Sequence, residues 1–279
     1  MERSEIIIPV FNGERHLGSL LESLSHQTIE QYSVTIADNG STDGSIAVAE
    51  SFRDIFELKI IDASRKQGKA VALNEAVIKS SAQKLIFVDQ DDMVNTSYVE
   101  SMAEAIAQNP LVASTMDGEL LNKKFEVAPR IITRDQRLGH FAITTVSGGT
   151  MGMTRKAFEH IGGFNEDFNY STNDAEFCQR AYAKGYDFKL VYDATLFYRL
   201  RDTLIGNLQQ GIGYGIGNYQ LAKIHPEMRG DQATSRQLLQ ETIALAGNFI
   251  ANKSNRARNS HLIGKNVGQM QEKLRTFLY

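Results

Sequence analysis

The 279-residue sequence contains no tryptophan, a single cysteine and only four prolines. The lone Cys178 cannot form an internal disulfide, which fits a reducing compartment. The opening Met1-Glu2-Arg3-Ser4-Glu5 is polar, and Ile6-Ile7-Ile8 meets Pro9 after three apolar residues, so no secretory signal is expected there. No stretch approaches the roughly 18 apolar residues that a membrane span needs. A soluble or peripheral cytoplasmic protein is therefore the expectation.

Familiar nucleotide fingerprints are missing as well. No Gly-x-Gly-x-x-Gly follows the first strand-like run, and Gly68-Lys69 lacks both the preceding glycine and the following Ser or Thr of a P-loop. Those absences weigh against dinucleotide dehydrogenases and P-loop ATPases. Six scattered histidines and one cysteine give no zinc-site spacing.

The net charge is only −3, but its sign changes along the chain. Residues 1–198 hold 19 Lys and Arg against 28 Asp and Glu, whereas residues 199–279 hold 11 against 5. A basic C-terminal third suits an anionic membrane surface or a phosphorylated acceptor, and equally a solvated helical face.

Through the first 115 residues, apolar runs of strand type alternate with helical periodicity, the pattern of βαβ units around a mainly parallel sheet. Strands are expected at residues 5–10, 34–37, 58–61, 84–88, 111–116, 141–146, 187–192 and 195–198. Leu17, Leu20, Leu21 and Leu24 recur at i, i+3, i+4 and i+7, one face of a helix. Ser41 or Thr42 is a suitable N-cap for a helix carrying Ile46, Ala49 and Phe52. Further helices are expected at residues 98–106, at 155–161, and from Asp174 to a stop at Gly185. Residues 117–137 read as a long connection of binding-loop type, and residues 252–260 as a polar link. The expected division is residues 1–201 as an α/β domain and residues 202–279 as a helical region for packing, dimer or membrane-surface contact.

Two acidic clusters carry the chemistry. Asp38, and then Asp89-Gln90-Asp91-Asp92, each follow a short apolar run, and in an open α/β sheet the C-terminal strand ends line the ligand crevice. An Asp-x-Asp at such a place offers oxygen ligands to Mg²⁺ or Mn²⁺ shared with substrate phosphates.

Five motifs then occur in order: Ile7-Ile8-Pro9-Val10-Phe11-Asn12, residues 37–45 (Ala-Asp-Asn-Gly-Ser-Thr-Asp-Gly-Ser), residues 89–92, Gly162-Gly163-Phe164, and Asn173-Asp174-Ala175-Glu176-Phe177. Over residues 5–200 the chain resembles family 2 glycosyltransferases of the GT-A fold. That resemblance implies an inverting transfer of a sugar from a nucleotide-diphosphate donor, with a UDP-sugar expected and a dTDP-sugar left open. The acceptor would be a hydroxyl of a glycan or lipid-linked molecule in cell-surface polysaccharide assembly. By position, Pro9 and Phe11 would border the nucleobase and Asp38 would accept its hydrogen bond. Gly68 and Lys69 would approach the nucleotide, Asp89 would face the ribose, and Asp91 would bind a Mn²⁺ or Mg²⁺ ion. Asp174 would be the general base.

Two positions depart from the family pattern. Asn173 replaces a frequent Glu beside the base, and Tyr198 stands where many members have a metal-binding His. Processive polysaccharide synthases of the same family carry a Gln-x-x-Arg-Trp motif and membrane spans, so a chain with no tryptophan and no expected span is expected to add one or a few sugars. A sugar-1-phosphate nucleotidyltransferase and a non-catalytic nucleotide-sugar binder are the alternative readings.

Gly211, Gly213, Gly215 and Gly217 give Gly-x-x-x-Gly faces if helical, which predicts tight helix packing. The alternative is a hinge or interfacial segment seated, with Lys223, Arg229 and Arg236, on lipid or on a second subunit.

Overall fold

The computed structural model describes residues 3–122, 136–137, 144–168, 172–226 and 233–278. Parts of the expected loop at 117–137 and strand at 141–146, together with Arg229, lie outside the described residues.

The first half alternates β1 (Ser4–Val10), α1 (Glu14–Ser25), β2 (Tyr32–Asp38), α2 (Ser45–Glu50), β3 (Glu57–Asp62), α3 (Lys69–Ile78) and β4 (Lys84–Phe87). Next come β5 (Met93–Val94), α4 (Tyr98–Gln108), β6 (Leu111–Asp117) and the short β7 (Gln136–Arg137) and β8 (Thr144–Thr145). β9 (Met151–Thr154), α5 (Arg155–Ile161), α6 (Asn173–Ala183) and β10 (Lys189–Phe197) complete the body. Three helices follow: α7 (Leu204–Ile224), α8 (Ser235–Ala251) and α9 (Arg256–Leu278).

Eight strands form one sheet in the order β3-β2-β1-β4-β9-β6-β10-β5, and β7 pairs with β8 separately. β1 runs parallel to both β2 and β4, and β10 runs parallel to β6. The sheet is buried on both sides because strand periodicity sends alternate residues to opposite faces. Ile6 and Ile8 join Leu17, Leu20 and Leu21 of α1 and Met102 of α4 in one core. Ile7 joins Leu73 of α3 and Phe158, Phe164 and Phe177 in the other.

The structure changes four expectations. β9, absent from the sequence reading, lies antiparallel between β4 and β6, so the mainly parallel sheet carries an antiparallel strand at its middle. At four residues β9 is too short to show a period, and its Gly152 admits Met102 and Val112 so closely that a Cβ would lie 2.8 Å from Met102 Cε and 2.9 Å from Val112 Cγ2. The two strands expected at 187–192 and 195–198 are one strand, β10, whose pairing with β6 shifts between Val191 and Thr195. α2 begins at Ser45 with neither Ser41 nor Thr42 as its cap, because Ser41 Oγ accepts the Asn12 N–H instead, at 3.0 Å. The expected link at 252–260 is a single tight turn, and α9 starts at Arg256.

The glycines of α7 pack as expected. A Cβ on Gly211 would lie 2.0 Å from His261 O, and one on Gly215 2.0 Å from Lys265 O. Gly264 and Gly268 of α9 meet Leu208 O and Ile212 O in the same way, so the two backbones touch. A helix-interior glycine costs about 1 kcal/mol against alanine, and this close approach offsets it. No helix among the described residues is long and apolar enough to cross a membrane.

Candidate functional site

The C-terminal ends of β1, β2 and β4 open into one crevice, as neighbouring parallel strands must. Two cavities meet there. The first, about 300 Å³, is lined by Pro9, Phe11, Asn39, Lys69, Asp89 and Asp91 among others. The second, about 270 Å³, reaches Asp174, Asn173, Phe168, Tyr198, Gln210 and Tyr214. Lys69, Asp89, Asp91 and Arg201 line both and so form the shared wall.

Of the residues singled out from sequence, Pro9, Phe11, Lys69, Asp89, Asp91 and Asp174 line these cavities, whereas Asp38 and Gly68 line neither. Asp38 sits at the end of β2, where its Oδ1 accepts the Ser41 N–H at 3.1 Å. The neighbouring Asn39 is buried and does the positioning. Its Nδ2 donates to Ala63 O at 2.6 Å and Lys66 O at 3.0 Å, and its Oδ1 accepts the Gly68 N–H at 2.7 Å. Gly68, with φ of 145°, adopts a backbone that a side chain would resist, and it delivers Lys69 as the first residue of α3.

Gln90 ties the first cavity together. Its side chain accepts the Phe11 N–H at 2.9 Å and donates back to Phe11 O at 3.1 Å, fixing the half-exposed Phe11 ring at the mouth.

Paired charges dominate the shared wall. Lys69 Nζ forms an ion pair with Asp89 Oδ1, and Arg201 Nη1 lies 3.2 Å from Asp91 Oδ2. Arg199 donates its backbone N–H to the buried Asp92 at 2.8 Å and its Nε to Asp91 O at 2.8 Å, clamping the end of β10 onto the acidic turn. Burial pulls the Lys69 ammonium down, but Asp89, Asp174 and Asp91 together hold it above its ordinary value. Burial and the Asp89 charge raise Asp91, with Arg201 opposing them. Asp92 rises well above its ordinary value, from burial first and then from Asp91 and Asp89.

Asp174 occupies the first turn of α6, where its Oδ2 accepts the Gly148 N–H at 3.2 Å and its Oδ1 accepts the Ala175 N–H at 2.8 Å. Burial lifts its pKa, and Lys69 opposes that rise. The Gly148-Gly149 turn lets these groups converge, since a Cβ on Gly149 would lie 3.1 Å from Asp89 Cγ. Asn173 sits beside Asp174 without adding a charge. Tyr198 lines the second cavity with its pKa pushed up to about 12 by burial and by Asp92, Asp91 and Asp89, and it hydrogen-bonds Gln210. A phenol held in its protonated form is a poor metal ligand.

Sequence reasoning missed Asn39, Gln210 and Tyr214. Asn39 stood in the quoted motif beside Asp38, but only the fold shows which of the two faces inward. Gln210 and Tyr214 come from α7, more than 100 residues from the acidic turn, and no local spacing signals them.

Among the described residues no group of three or more His, Cys, Asp and Glu forms a ready metal cage. Asp91, with one oxygen toward the shared wall, fits a hard cation completed by diphosphate and water.

Comparison with known proteins identifies the architecture. Residues 5–162 match the family model described as "Glycosyl transferase family 2", and residues 131–201 match one described as "N-terminal domain of galactosyltransferase". The minor teichoic acid biosynthesis protein GgaA of Bacillus subtilis is 28% identical over 214 residues, covering 70% of this chain and 47% of that protein. The poly(ribitol-phosphate) β-N-acetylglucosaminyltransferase TarS of Staphylococcus aureus is 23% identical over 208 residues, covering 71% of this chain and 35% of TarS. Among such curated relatives the chain spans 15% to 56% of their length.

In three dimensions, the mannosyltransferase PcManGT of Pyrobaculum calidifontis, solved with GDP-Man and Mn²⁺, superposes with a TM-score of 0.67 at 16% identity, over 98% of this chain and 88% of that one. TarS residues 1–349 with UDP superpose with a TM-score of 0.58 at 17% identity, over 98% and 91%. A match across more than half the sequence, carried on this fold, places the chain in glycosyl transferase family 2, a family of GT-A-fold glycosyltransferases.

Proposed function

We propose that this protein transfers a sugar, with inversion, from a nucleotide-diphosphate donor to a hydroxyl of a glycan or lipid-linked acceptor. The observation that carries this reading is the pair of cavities sharing one charged wall, with a candidate nucleobase platform on one side and a candidate base on the other.

The first cavity takes the nucleotide. Phe11 and Pro9 offer flat apolar surface to the base, and Asp89 faces the ribose. The diphosphate then lies along Lys69 and Arg201, whose charges stabilise the leaving group as its bond to the sugar breaks. Asp91 would hold a Mn²⁺ or Mg²⁺ ion, which when bound neutralises diphosphate charge. Lys69 and Arg201 now engage the acidic pair and are positioned to turn toward phosphate, releasing Asp91 for that role.

The acceptor hydroxyl enters the second cavity and gives its proton to Asp174. The freed oxygen attacks the anomeric carbon from the face opposite the diphosphate, which inverts the configuration. A base lifted above its ordinary value is a better proton acceptor, and the Gly148 N–H fixes its aim. Tyr214, Gln210 and Phe168 form the far wall for the acceptor.

GgaA and TarS carry names from teichoic acid chemistry, and TarS has been solved with UDP-GlcNAc. Those names support a UDP-sugar donor and an anionic cell-surface polymer or lipid-linked acceptor. The basic C-terminal third supplies the counter-charge, at the inner face of the cell membrane.

Thermal-shift measurements with UDP, dTDP and GDP, each with and without Mn²⁺, test the donor site, because ligand binding stabilises the folded state by mass action. One nucleotide should raise the melting temperature selectively, and more so with the metal. If none of the three does, the donor assignment is wrong.

A further inference from the structure

α8 and α9 form an antiparallel hairpin whose outer side is apolar and open. The register is fixed by three contacts: Lys273 Nζ to Ala233 O, Asn266 Nδ2 to Glu241 Oε2 at 3.3 Å, and Arg256 Nε to Phe249 O at 3.2 Å. A capping box between Thr234 and Gln237 starts α8 firmly. Against α9, α8 turns Leu238, Thr242, Leu245 and Phe249, of which Leu238 is buried.

A second stripe on α8 recurs at 4-3-4 spacing: Leu239, Ile243, Ala246 and Ile250. On α9, Ile263, Val267, Met270, Leu274 and Phe277 recur at 4-3-4-3. Both are heptad seams of the kind that pack knobs into holes. Among the described residues the α8 stripe is open, with Leu239 52%, Ile243 65% and Ile250 77% exposed, and the α9 stripe is open at Leu274 and Phe277 while Ile263 and Met270 are half-buried; a Cβ added at Gly247 would meet nothing within 4 Å.

Helix geometry puts the two seams side by side. At about 100° per residue, each stripe lies roughly 100° round its helix from the contact with the other helix. Because the helices are antiparallel, equal rotations in the chain sense bring both stripes to the same side. The register sets Leu239 level with Val267, and Ile243 level with Ile263.

We propose that this face of the α8–α9 hairpin docks against the same face of a second copy of the chain, closing a four-helix bundle. The seam spacing supports it, since a heptad stripe selects another helix surface with the same period. The area supports it too. Seventeen residues of α8 give a face about 25 Å long and, across two helices, about 20 Å wide, so two such faces bury on the order of 1,000 Å², the lower bound for a specific interface.

α8 carries Glu241 and no Lys or Arg from Gln237 to Ala251, and the basic residues of α9, Arg256, Arg258, Lys265, Lys273 and Arg275, lie outside its apolar stripe. The centre of the patch holds no charged residue, as in the buried middle of protein interfaces. The inference is independent of the chemistry assigned to the crevice.

Sedimentation velocity on the full chain, across micromolar concentrations, tests the proposal. Wild type is expected at twice its 31.1 kDa chain mass, and Ile243→Asp at the chain mass itself, with an unchanged circular-dichroism spectrum. Ile78→Asp, at an exposed apolar position on α3, should remain dimeric. A monomeric wild type, or an Ile243→Asp protein that stays dimeric, overturns the proposal. So does a monomeric wild type that floats with phosphatidylglycerol vesicles and loses that property in Ile243→Asp, an outcome that assigns the face to lipid.

Discussion

A single methyl group at Gly215 should separate α7 from α9. An alanine Cβ there would lie 2.0 Å from Lys265 O and 2.9 Å from Gln269 N, both backbone atoms that cannot rotate away. Ordinary contact begins at 3.4 Å, so the helices must part by about 1.4 Å along that direction. Overpacking of this kind costs about 1–3 kcal/mol, and a backbone clash belongs at the upper end. Alanine returns about 1 kcal/mol of helix propensity, leaving Gly215→Ala destabilised by about 2 kcal/mol. Gly247→Ala supplies the control on α8. Its Cβ meets nothing within 4 Å, so the propensity gain of about 0.5–1 kcal/mol should stand alone. Urea unfolding should therefore move the two midpoints in opposite directions, with unchanged slopes. Because Tyr214 adjoins Gly215 and lines the second cavity, Gly215→Ala should also raise the acceptor KM while leaving the nucleotide thermal shift intact. Midpoints moving in the same direction would refute the helix-contact reasoning.

Other expectations follow from the site. Asp174→Asn should lower kcat by about 10²–10⁴-fold with nucleotide binding retained; loss of the nucleotide thermal shift instead would reassign Asp174 to donor binding. Burial raises the Asp174 pKa, and a base must be ionised, so kcat should fall as pH drops through a value above the ordinary 3.8; a flat acidic limb down to that value contradicts the assignment. Asn39→Ala removes hydrogen bonds to Ala63, Lys66 and Gly68 and should cost about 2 kcal/mol in urea unfolding while weakening the nucleotide shift; a wild-type midpoint would show that the 63–68 loop holds itself. The folded-state pKa of Asp92 is raised by burial and by Asp91 and Asp89, so its ionisation opposes folding increasingly as pH rises from 3.8 through that raised value. Asp92→Asn, which keeps an oxygen for the Arg199 N–H, should then raise the melting temperature at about pH 7 and not at about pH 4, and equal shifts at both would disprove the linkage.

The sequence by itself determined the alternating α/β order, the face of α1, the stop at Gly185 and the motif residues at the strand ends. Each of these is a local pattern: a period of 2 or 3.6, a left-handed glycine, a carboxylate after an apolar run. Tertiary structure alone decided the rest. β9 is too short to carry a period, and its antiparallel place between β4 and β6 follows from what those strands leave unpaired. That Asn39 faces inward while Asp38 caps its own turn depends on where the 63–68 loop returns. Tyr214 and Gln210 reach the crevice because glycines on α7 and α9 let two helices touch, a contact between residues about 50 apart that no local window can display.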